Sequence, residues 1–256
     1  MDEILKIEQV SKKFGGLCVI NNLSLSVING EYLAIIGPNG AGKTTLMRLI
    51  TGELKPDSGK IFLSGEDITN IPSYKRIQKG LGRSFQITRI FYDLSVMENV
   101  LVAFQVYYPF NYHLFRRKNY YNELTLKAEK LLKRVELYDK KDKYAGRLSY
   151  GEQRKLEIIL ALASNPKVLL LDEPTAGLSL NEIHEFTKMI NELGKNTTVI
   201  FTAHDMNVVF SLAKRVIVLY YGEIIAHGEP KEIQNNQKVK EIYLGIKRDM
   251  PYVAVS

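Results

Sequence analysis

The segment Tyr32-Leu-Ala-Ile-Ile36, followed at once by Gly37-Pro-Asn-Gly-Ala-Gly-Lys-Thr44, constrains this chain more than any other. The unbroken apolar run predicts a strand buried on both faces, and Leu46, Leu49 and Ile50 at helical spacing predict a helix opening at the end of the glycine-bearing turn. Strand, turn and helix in that order make an anion site. Glycines let backbone N–H groups converge, and a helix N-terminus adds unpaired donors and the positive end of its dipole. The G-x4-G-K-T spacing is the phosphate-loop pattern, in which Lys43 reaches the β and γ phosphates of a nucleotide and Thr44 places its hydroxyl on Mg²⁺.

A second apolar run, Val168-Leu-Leu-Leu171, ends in Asp172 and Glu173. Carboxylates at the C-terminal end of a buried parallel strand lie where ligands bind in open α/β sheets. Asp172 suits the Mg²⁺ shell through water, and Glu173 suits polarisation of an attacking water. Taken alone, the pair would equally serve as an acidic turn after a strand; the phosphate loop upstream favours the chemical role.

Between these lies Leu148-Ser-Tyr-Gly-Glu-Gln153, just before the apolar segment Leu156 to Ala163. Ser149-x-x-Glu152 predicts a capping box, with the serine side chain satisfying an early helical N–H and the glutamate reaching back. The same N-terminus, with its free N–H groups beside Gly151, is a second anion site. Its place in the sequence keeps it from the first, so two copies, or two relatives, are expected to meet face to face.

The chain resembles the ATP-binding cassette (ABC) ATPases, with Leu148 to Gln153 standing as their signature motif between the phosphate loop and the Leu169-Leu-Leu-Asp-Glu-Pro174 strand end. The resemblance runs from Ile4 to about Gly245. It implies an α/β ABC ATPase fold: a phosphate-loop, RecA-like core with a mixed sheet, additional antiparallel strands and an inserted helical subdomain. It also implies roles for residues that are unremarkable singly. Phe14 would stack on adenine, Gln86 would contact Mg²⁺ and sense a transporter, Ala176-Gly-Leu-Ser179 would cross to the partner subunit, and His204 would lie near the γ phosphate. A lone His204 after Val199-Ile-Phe-Thr202 would otherwise read as a histidine at a sheet edge. ATP and Mg²⁺ are the implied ligands. Phe14, Asn39, Gly40, Ala41, Gly42, Lys43, Thr44 and Thr45 of one subunit, with Ser149, Gly151 and Glu152 of the other, are the implied nucleotide contacts. Glu173, His204 and Gln86 are the implied catalytic set, and Thr44, Gln86 and Asp172 the implied metal set.

The signature departs from the commonest family pattern at Tyr150, in place of a glycine, and at Glu152, in place of glutamine. These departures move the closest phosphate approach to Ser149 and Gly151. The crossing loop ends in Ser179 where aspartate is more usual, which bears on coupling between subunits.

Strand-like and helix-like segments alternate along the chain, predicting a parallel-centred sheet with helices on its faces. Leu5 to Val10 and Ser24 to Val27 read as flanking strands, and Val216 to Tyr220 with Glu223 to His227 as a hairpin around Tyr221-Gly222. Between about 91 and 147 the pattern turns helical, with a capping box at Ser95-x-x-Glu98 and an apolar stripe of Leu124, Ala128, Leu131, Leu132 and Val135. The expected organisation is one cassette over 1–245, with a core of 1–90 and 148–245, a helical subdomain of about 91–147, and an unassigned tail of 246–256. The aromatic stretch from Phe104 to Lys118 suits either a membrane or permease interface or the subdomain's own core.

At 256 residues with 45% apolar content the chain can bury a sizeable core. A single cysteine, Cys18, precludes an internal disulfide and points to a reducing compartment. Met1-Asp-Glu-Ile-Leu-Lys lacks the basic-then-apolar order of a secretory signal, and no apolar run is long enough to span a bilayer. The net charge of +7 is compatible with a nucleotide, an anionic membrane face or nucleic acid and chooses none of them. Nucleic acid is not an expected partner: DNA-repair cassettes carry a long coiled coil that the insertion here lacks.

Phe14-Gly-Gly-Leu17, Gly82-Arg-Ser-Phe-Gln86, Leu94 to Val100, Thr175-Ala-Gly-Leu178 and the segment from Gly228 to Gly245 are most similar to the LivG-type ATPases of branched-chain amino acid importers. Urea importers and lipopolysaccharide exporters use near relatives, and a soluble iron–sulfur assembly ATPase is the competing class. The resemblance implies permease subunits as partners, a second ATPase that is either a LivF-like relative or a second copy, and, indirectly, an extracytoplasmic substrate-binding protein. It places the chain peripherally on the cytoplasmic face of the membrane.

Overall fold

Strands buried on both faces build the larger of two sheets, around which the protein is organised. The computed structural model describes residues 2–84, 90–107, 117–193 and 197–243. Among them the chain forms β1 (Glu3–Phe14), β2 (Leu17–Ile28), β3 (Tyr32–Ile36), α1 (Lys43–Thr51), β4 (Ser58–Leu63), β5 (Glu66–Asp67), α2 (Ser73–Gln78) and β6 (Leu81–Ser84). There follow α3 (Val96–Tyr107), α4 (Arg117–Arg134), α5 (Tyr150–Leu162), β7 (Val168–Leu171), α6 (Leu180–Leu193), β8 (Thr198–Thr202), α7 (Met206–Leu212), β9 (Arg215–Tyr220), β10 (Glu223–Gly228), α8 (Pro230–Asn235) and α9 (Gln237–Tyr243).

The larger sheet runs β10-β9-β3-β8-β7-β6, with all neighbours parallel except the β9–β10 hairpin. Every residue of β3, β7 and β8 is buried, as the uninterrupted apolar runs require of strands covered on both faces. Leu33, Ile35, Leu170, Ile200, Ile217 and Leu219 point to one face, where they pack with Leu46, Met47, Leu49 and Ile50 of α1 and with the inward side chains of β1 and β2. Their neighbours Ala34, Ile36, Leu169, Leu171, Phe201 and Val218 point to the other face, against α5, α6, α7 and the helices of the insertion. The smaller sheet, β2-β1-β4-β5, is antiparallel. The α/β class, the mixed central sheet and the separate antiparallel strands therefore stand as expected.

β1 and β2 are longer than their predicted cores. Register shifts between them, with positive φ at Gln9 and Asn22, interrupt the alternation that marks a strand in sequence. In the helical insertion the box at Ser95 forms as predicted: the Ser95 N–H donates to Glu98 Oε2 at 2.7 Å and the Glu98 N–H to Ser95 Oγ at 3.2 Å. Leu124, Ala128, Leu132 and Val135 are buried with Val96, Val100, Leu101 and Phe104, and Leu131 is partly buried beside them. Phe104, the first ring of the aromatic stretch, thus belongs to the core; residues 108–116 of that stretch and the tail lie outside the described residues. Among the described residues, no helix is long and apolar enough to cross a membrane.

Parallel pairing brings the C-terminal ends of β3, β8, β7 and β6 to one edge. Ile35 is in register with Thr202, Leu171 with Phe201, and Ser84 with Leu171. The loops that follow these strands are the ones carrying the motifs.

Candidate nucleotide site

The phosphate loop leaves β3 and enters α1 through Gly42, whose φ of 104° is a left-handed conformation that a side chain adopts only with strain. Space forbids a side chain there as well: a Cβ on Gly42 would lie 2.8 Å from the Val19 carbonyl oxygen and 2.9 Å from Ile20 Cδ1. The Gly222 N–H donates to the Ala41 carbonyl at 3.0 Å, and the Asn21 N–H to the Gly222 carbonyl at 3.1 Å. The Tyr221-Gly222 turn of the β9–β10 hairpin therefore fastens the loop to β2. Asn39 and Gly40 stay exposed at its tip, Ala41 and Gly42 are buried, and Thr44 and Thr45 are half-buried at the helix start.

Lys43 is buried, with Nζ donating to the loop's own carbonyls, Gly37 at 2.7 Å and Pro38 at 3.1 Å. Burial pulls its ammonium below the ordinary value, and negative charge on Glu173 and Asp172 opposes that shift. The loop lysine and the two carboxylates thus share one electrostatic site.

The carboxylates are held by a residue whose role was not read from the sequence. Thr202, at the end of β8 and fully buried, donates its hydroxyl to Asp172 Oδ1 at 2.7 Å and accepts the Glu173 N–H at 2.8 Å. Glu173 has a positive φ of 47°, uncommon for a residue with a side chain and a mark of a functionally constrained position. Its carboxylate meets His204, whose Nε2 lies 2.9 Å from Glu173 Oε1. Asp172, Glu173, Thr202 and His204 form one connected chain beside Lys43. The donor chemistry of the Thr44 hydroxyl and the Asp172 carboxylate is hard oxygen, the class that Mg²⁺ takes.

Phe14 closes β1 and pairs with Leu17 across the Gly15-Gly16 turn, and both side chains are exposed. Leu17 lies two residues from Val19, whose carbonyl abuts Gly42, so the Phe14 end of the hairpin is about 7 Å along the strand from the phosphate loop. That spacing suits a ring placed at the base end of a nucleotide. Gln86 lies outside the described residues.

The signature turn has the predicted cap. Ser149 Oγ accepts the Glu152 N–H at 3.3 Å, and Glu152 Oε2 accepts the Ser149 N–H at 2.9 Å. The other Glu152 oxygen is ion-paired with Lys140. Burial raises the Glu152 carboxyl, but Lys140 and the Ser149 N–H outweigh it and hold the group below its ordinary value. Glu152 is thereby occupied in shaping the turn, whereas the Ser149 hydroxyl keeps a donor and Gly151 is buried against Glu182. The Tyr150 side chain runs to the crossing loop, where its hydroxyl donates to the Ala176 carbonyl at 3.2 Å. Ser179 caps α6: its N–H and Oγ bond Glu182 Oε2 at 2.9 and 2.7 Å. Both departures from the common motif are accounted for by local bonds.

The chain matches the family model described as ABC transporter over residues 20–176, and that described as branched-chain amino acid ATP-binding cassette transporter over residues 223–247. It is 37% identical to the high-affinity branched-chain amino acid transport ATP-binding proteins BraF of Pseudomonas aeruginosa and LivG of Escherichia coli, with 94% of this chain and 98% of each relative covered. The lipopolysaccharide export ATP-binding protein LptB of Haemophilus influenzae is 34% identical, covering 94% of this chain and 97% of its own. Among solved structures, the ADP conformation of MJ1267, an ATP-binding cassette of an ABC transporter, superposes with a TM-score of 0.83 at 33% identity, covering 96% of this chain and all of that one. A dimeric post-hydrolysis state of the cassette MJ0796, bound to ADP and phosphate, gives 0.76 at 26% identity over 89% and 99%. By motif order, fold and likeness over nearly its whole length, this chain belongs to the ABC transporter family as an ATP-binding, ATP-hydrolysing cassette subunit.

Proposed function

We propose that this subunit hydrolyses ATP between two cassettes and drives permease subunits that import branched-chain amino acids. The observation that carries the catalytic part is the continuous Asp172–Thr202–Glu173–His204 chain at the sheet edge, with Lys43 in its field. Lys43 and the N–H groups of residues 39–45 hold the β and γ phosphates, and Phe14 carries the base. Thr44, Asp172 and Gln86 would hold Mg²⁺, which would supply positive charge against that building up on the phosphates. Glu173 takes a proton from the attacking water; oxygen bonds to the γ phosphorus, the bond to the bridging oxygen breaks, and ADP and inorganic phosphate leave. His204 holds the Glu173 carboxylate in line and faces the γ phosphate.

Ser149 and Gly151 are assigned to the γ phosphate of ATP held by the facing subunit, so that bound ATP favours closure. The dimeric MJ0796 cassette supports the pairing of two cassettes. We assign residues 91–147 to a helical subdomain and the remainder of 1–245 to the core. The permease docks near residues 86–98 on the cytoplasmic face of the membrane, and a LivF-like ATPase is the facing subunit. The branched-chain substrate class is supported by the match over residues 223–247 and by BraF and LivG. An extracytoplasmic binding protein would deliver that substrate to the permeases.

Glu173→Gln should retain ATP with Mg²⁺ and trap a dimer by size-exclusion chromatography, with turnover reduced by about 100-fold or more. Full turnover in that variant would refute the role of Glu173. Leucine uptake by the transporter reassembled in vesicles tests the substrate class, and uptake of no branched-chain amino acid would refute it.

A further inference from the structure

Tyr150 stands where the family commonly has glycine, and its bonds lead directly toward Glu173. Its hydroxyl donates to the Ala176 carbonyl at 3.2 Å, and the N–H of the same Ala176 donates to the Glu173 carbonyl at 3.1 Å. From the other side Arg154 fixes the ring: Nη2 and Nε donate to the Tyr150 oxygen at 2.6 and 3.2 Å, and Nη1 donates to Glu157 at 2.8 Å. Arg154 and Glu157 are both buried, so the strut is anchored inside the protein. A second contact, by packing, runs parallel to it. Glu182, which holds Ser179, comes so close to Gly151 that a Cβ there would lie 2.5 Å from Oε1. Residues 176–179 are thus joined to the signature turn of the same chain at both ends.

Resting on the reading that Ser149 and Gly151 meet ATP held by the facing subunit, we infer that Tyr150 is a positioning residue that links signature engagement at one ATP to the placement of Glu173 at the other. A shift of the α5 start on closure moves the Tyr150 oxygen, which carries the Ala176 peptide, which in turn carries the Glu173 carbonyl. Glycine at position 150 would leave this route unmade. The two sites of a dimer containing this chain are therefore coupled through a phenol hydroxyl, and the Ser179 tie keeps the loop in register while it moves.

The test uses the full-length chain with ATP and Mg²⁺, comparing Tyr150→Phe with Ser149→Ala. Tyr150→Phe removes the bond donated to Ala176 and the two accepted from Arg154, and loss of the first, which orders the reacting geometry, should lower kcat about tenfold. Calorimetric ATP affinity should stay at the wild-type value, since the phosphate loop is untouched, while the melting temperature should fall by several degrees because buried Arg154 loses its phenol acceptor. In the Glu173→Gln background, Tyr150→Phe should still trap the ATP dimer, because the signature contacts remain. Wild-type kcat in Tyr150→Phe overturns the inference, as does loss of the trapped dimer, which would place Tyr150 in signature binding instead. Ser149→Ala separates the two levels. If it lowers turnover and Tyr150→Phe does not, only this inference falls; if Ser149→Ala turns over normally, the signature reading falls and takes the inference with it.

Discussion

Thr202→Val isolates what holds the two carboxylates. Valine matches threonine in shape, so the fully buried position stays filled while the hydroxyl is removed. Two bonds disappear: the 2.7 Å donation to Asp172 Oδ1 and the 2.8 Å acceptance from the Glu173 N–H. A hydrogen bond to a charged group contributes about 1.5–3 kcal/mol, and a buried N–H deprived of its acceptor costs about 1–3 kcal/mol. The combined loss is about 3–5 kcal/mol, or roughly 10 °C in melting temperature for a chain of this size. The catalytic effect is larger than the bond count suggests. Glu173 sits at a φ of 47°, and the Thr202 bond to its N–H is one of the restraints on that conformation. Relaxation by about 1 Å would lower turnover about 100-fold. ATP affinity by calorimetry should be unchanged, because Thr202 touches neither the phosphate loop nor Phe14. Thr202→Ser keeps both bonds, should lose only about 1 kcal/mol for the methyl group, and should retain turnover. A valine variant with wild-type kcat and melting temperature would refute the argument, as would a serine variant as impaired as valine.

Gly42→Ala should abolish ATP binding measured by calorimetry and destabilise the fold by more than 2 kcal/mol in denaturant titration, on the order expected when a Cβ is forced against backbone at positive φ. Gly40→Ala meets no atom within 4 Å and should lose only about 1–2 kcal/mol from its φ of 79°. Arg76, almost wholly buried, donates to the Leu49 and Ile50 carbonyls at the end of α1 and to those of Thr69 and Ile71. Arg76→Met should therefore destabilise by about 3–5 kcal/mol in urea titration, several buried acceptors losing their donor. Glu152→Gln tests the cap. A carboxyl held below its ordinary 4.5 stabilises the fold above that value and loses the contribution as pH falls through its lower folded value. The variant should be less stable than wild type at pH 7, and the difference should close below pH 4.5 in melting curves taken across pH.

What was legible in the sequence follows from which residues carry their own reason. Tyr32–Ile36 and Val168–Leu171 were read with their observed bounds, because burial on both faces demands continuous apolar runs and Gly37 and Asp172 end them. Ser58–Leu63 and Leu81–Ser84 were not read as strands. The first buries only Ile61 and Leu63, and the second is held by its ladder to β7. In the site, Lys43 follows from the phosphate-loop spacing and Asp172 and Glu173 from their place at the end of a buried strand, whereas His204 alone reads as a sheet-edge histidine and takes its proposed role only from the family resemblance. Thr202 was not legible, since a threonine closing a strand is ordinary until β8 is known to lie beside β7.

Ser179 shows a different kind of miss. It was read only as the loss of an aspartate, although Ser179-x-x-Glu182 obeys the same capping rule that located Ser95 and Ser149. The end of the crossing loop and the start of α6 are the same residues. Ser149 caps α5 with one lone pair and keeps its proton for a ligand, and Ser179 ends a loop and begins α6 while its partner Glu182 abuts Gly151. Capping and function are thus the same bonds here: a helix start rigid enough to present N–H groups to phosphate needs a cap, and the cap that supplies rigidity also ties that start to the loop leaving Glu173.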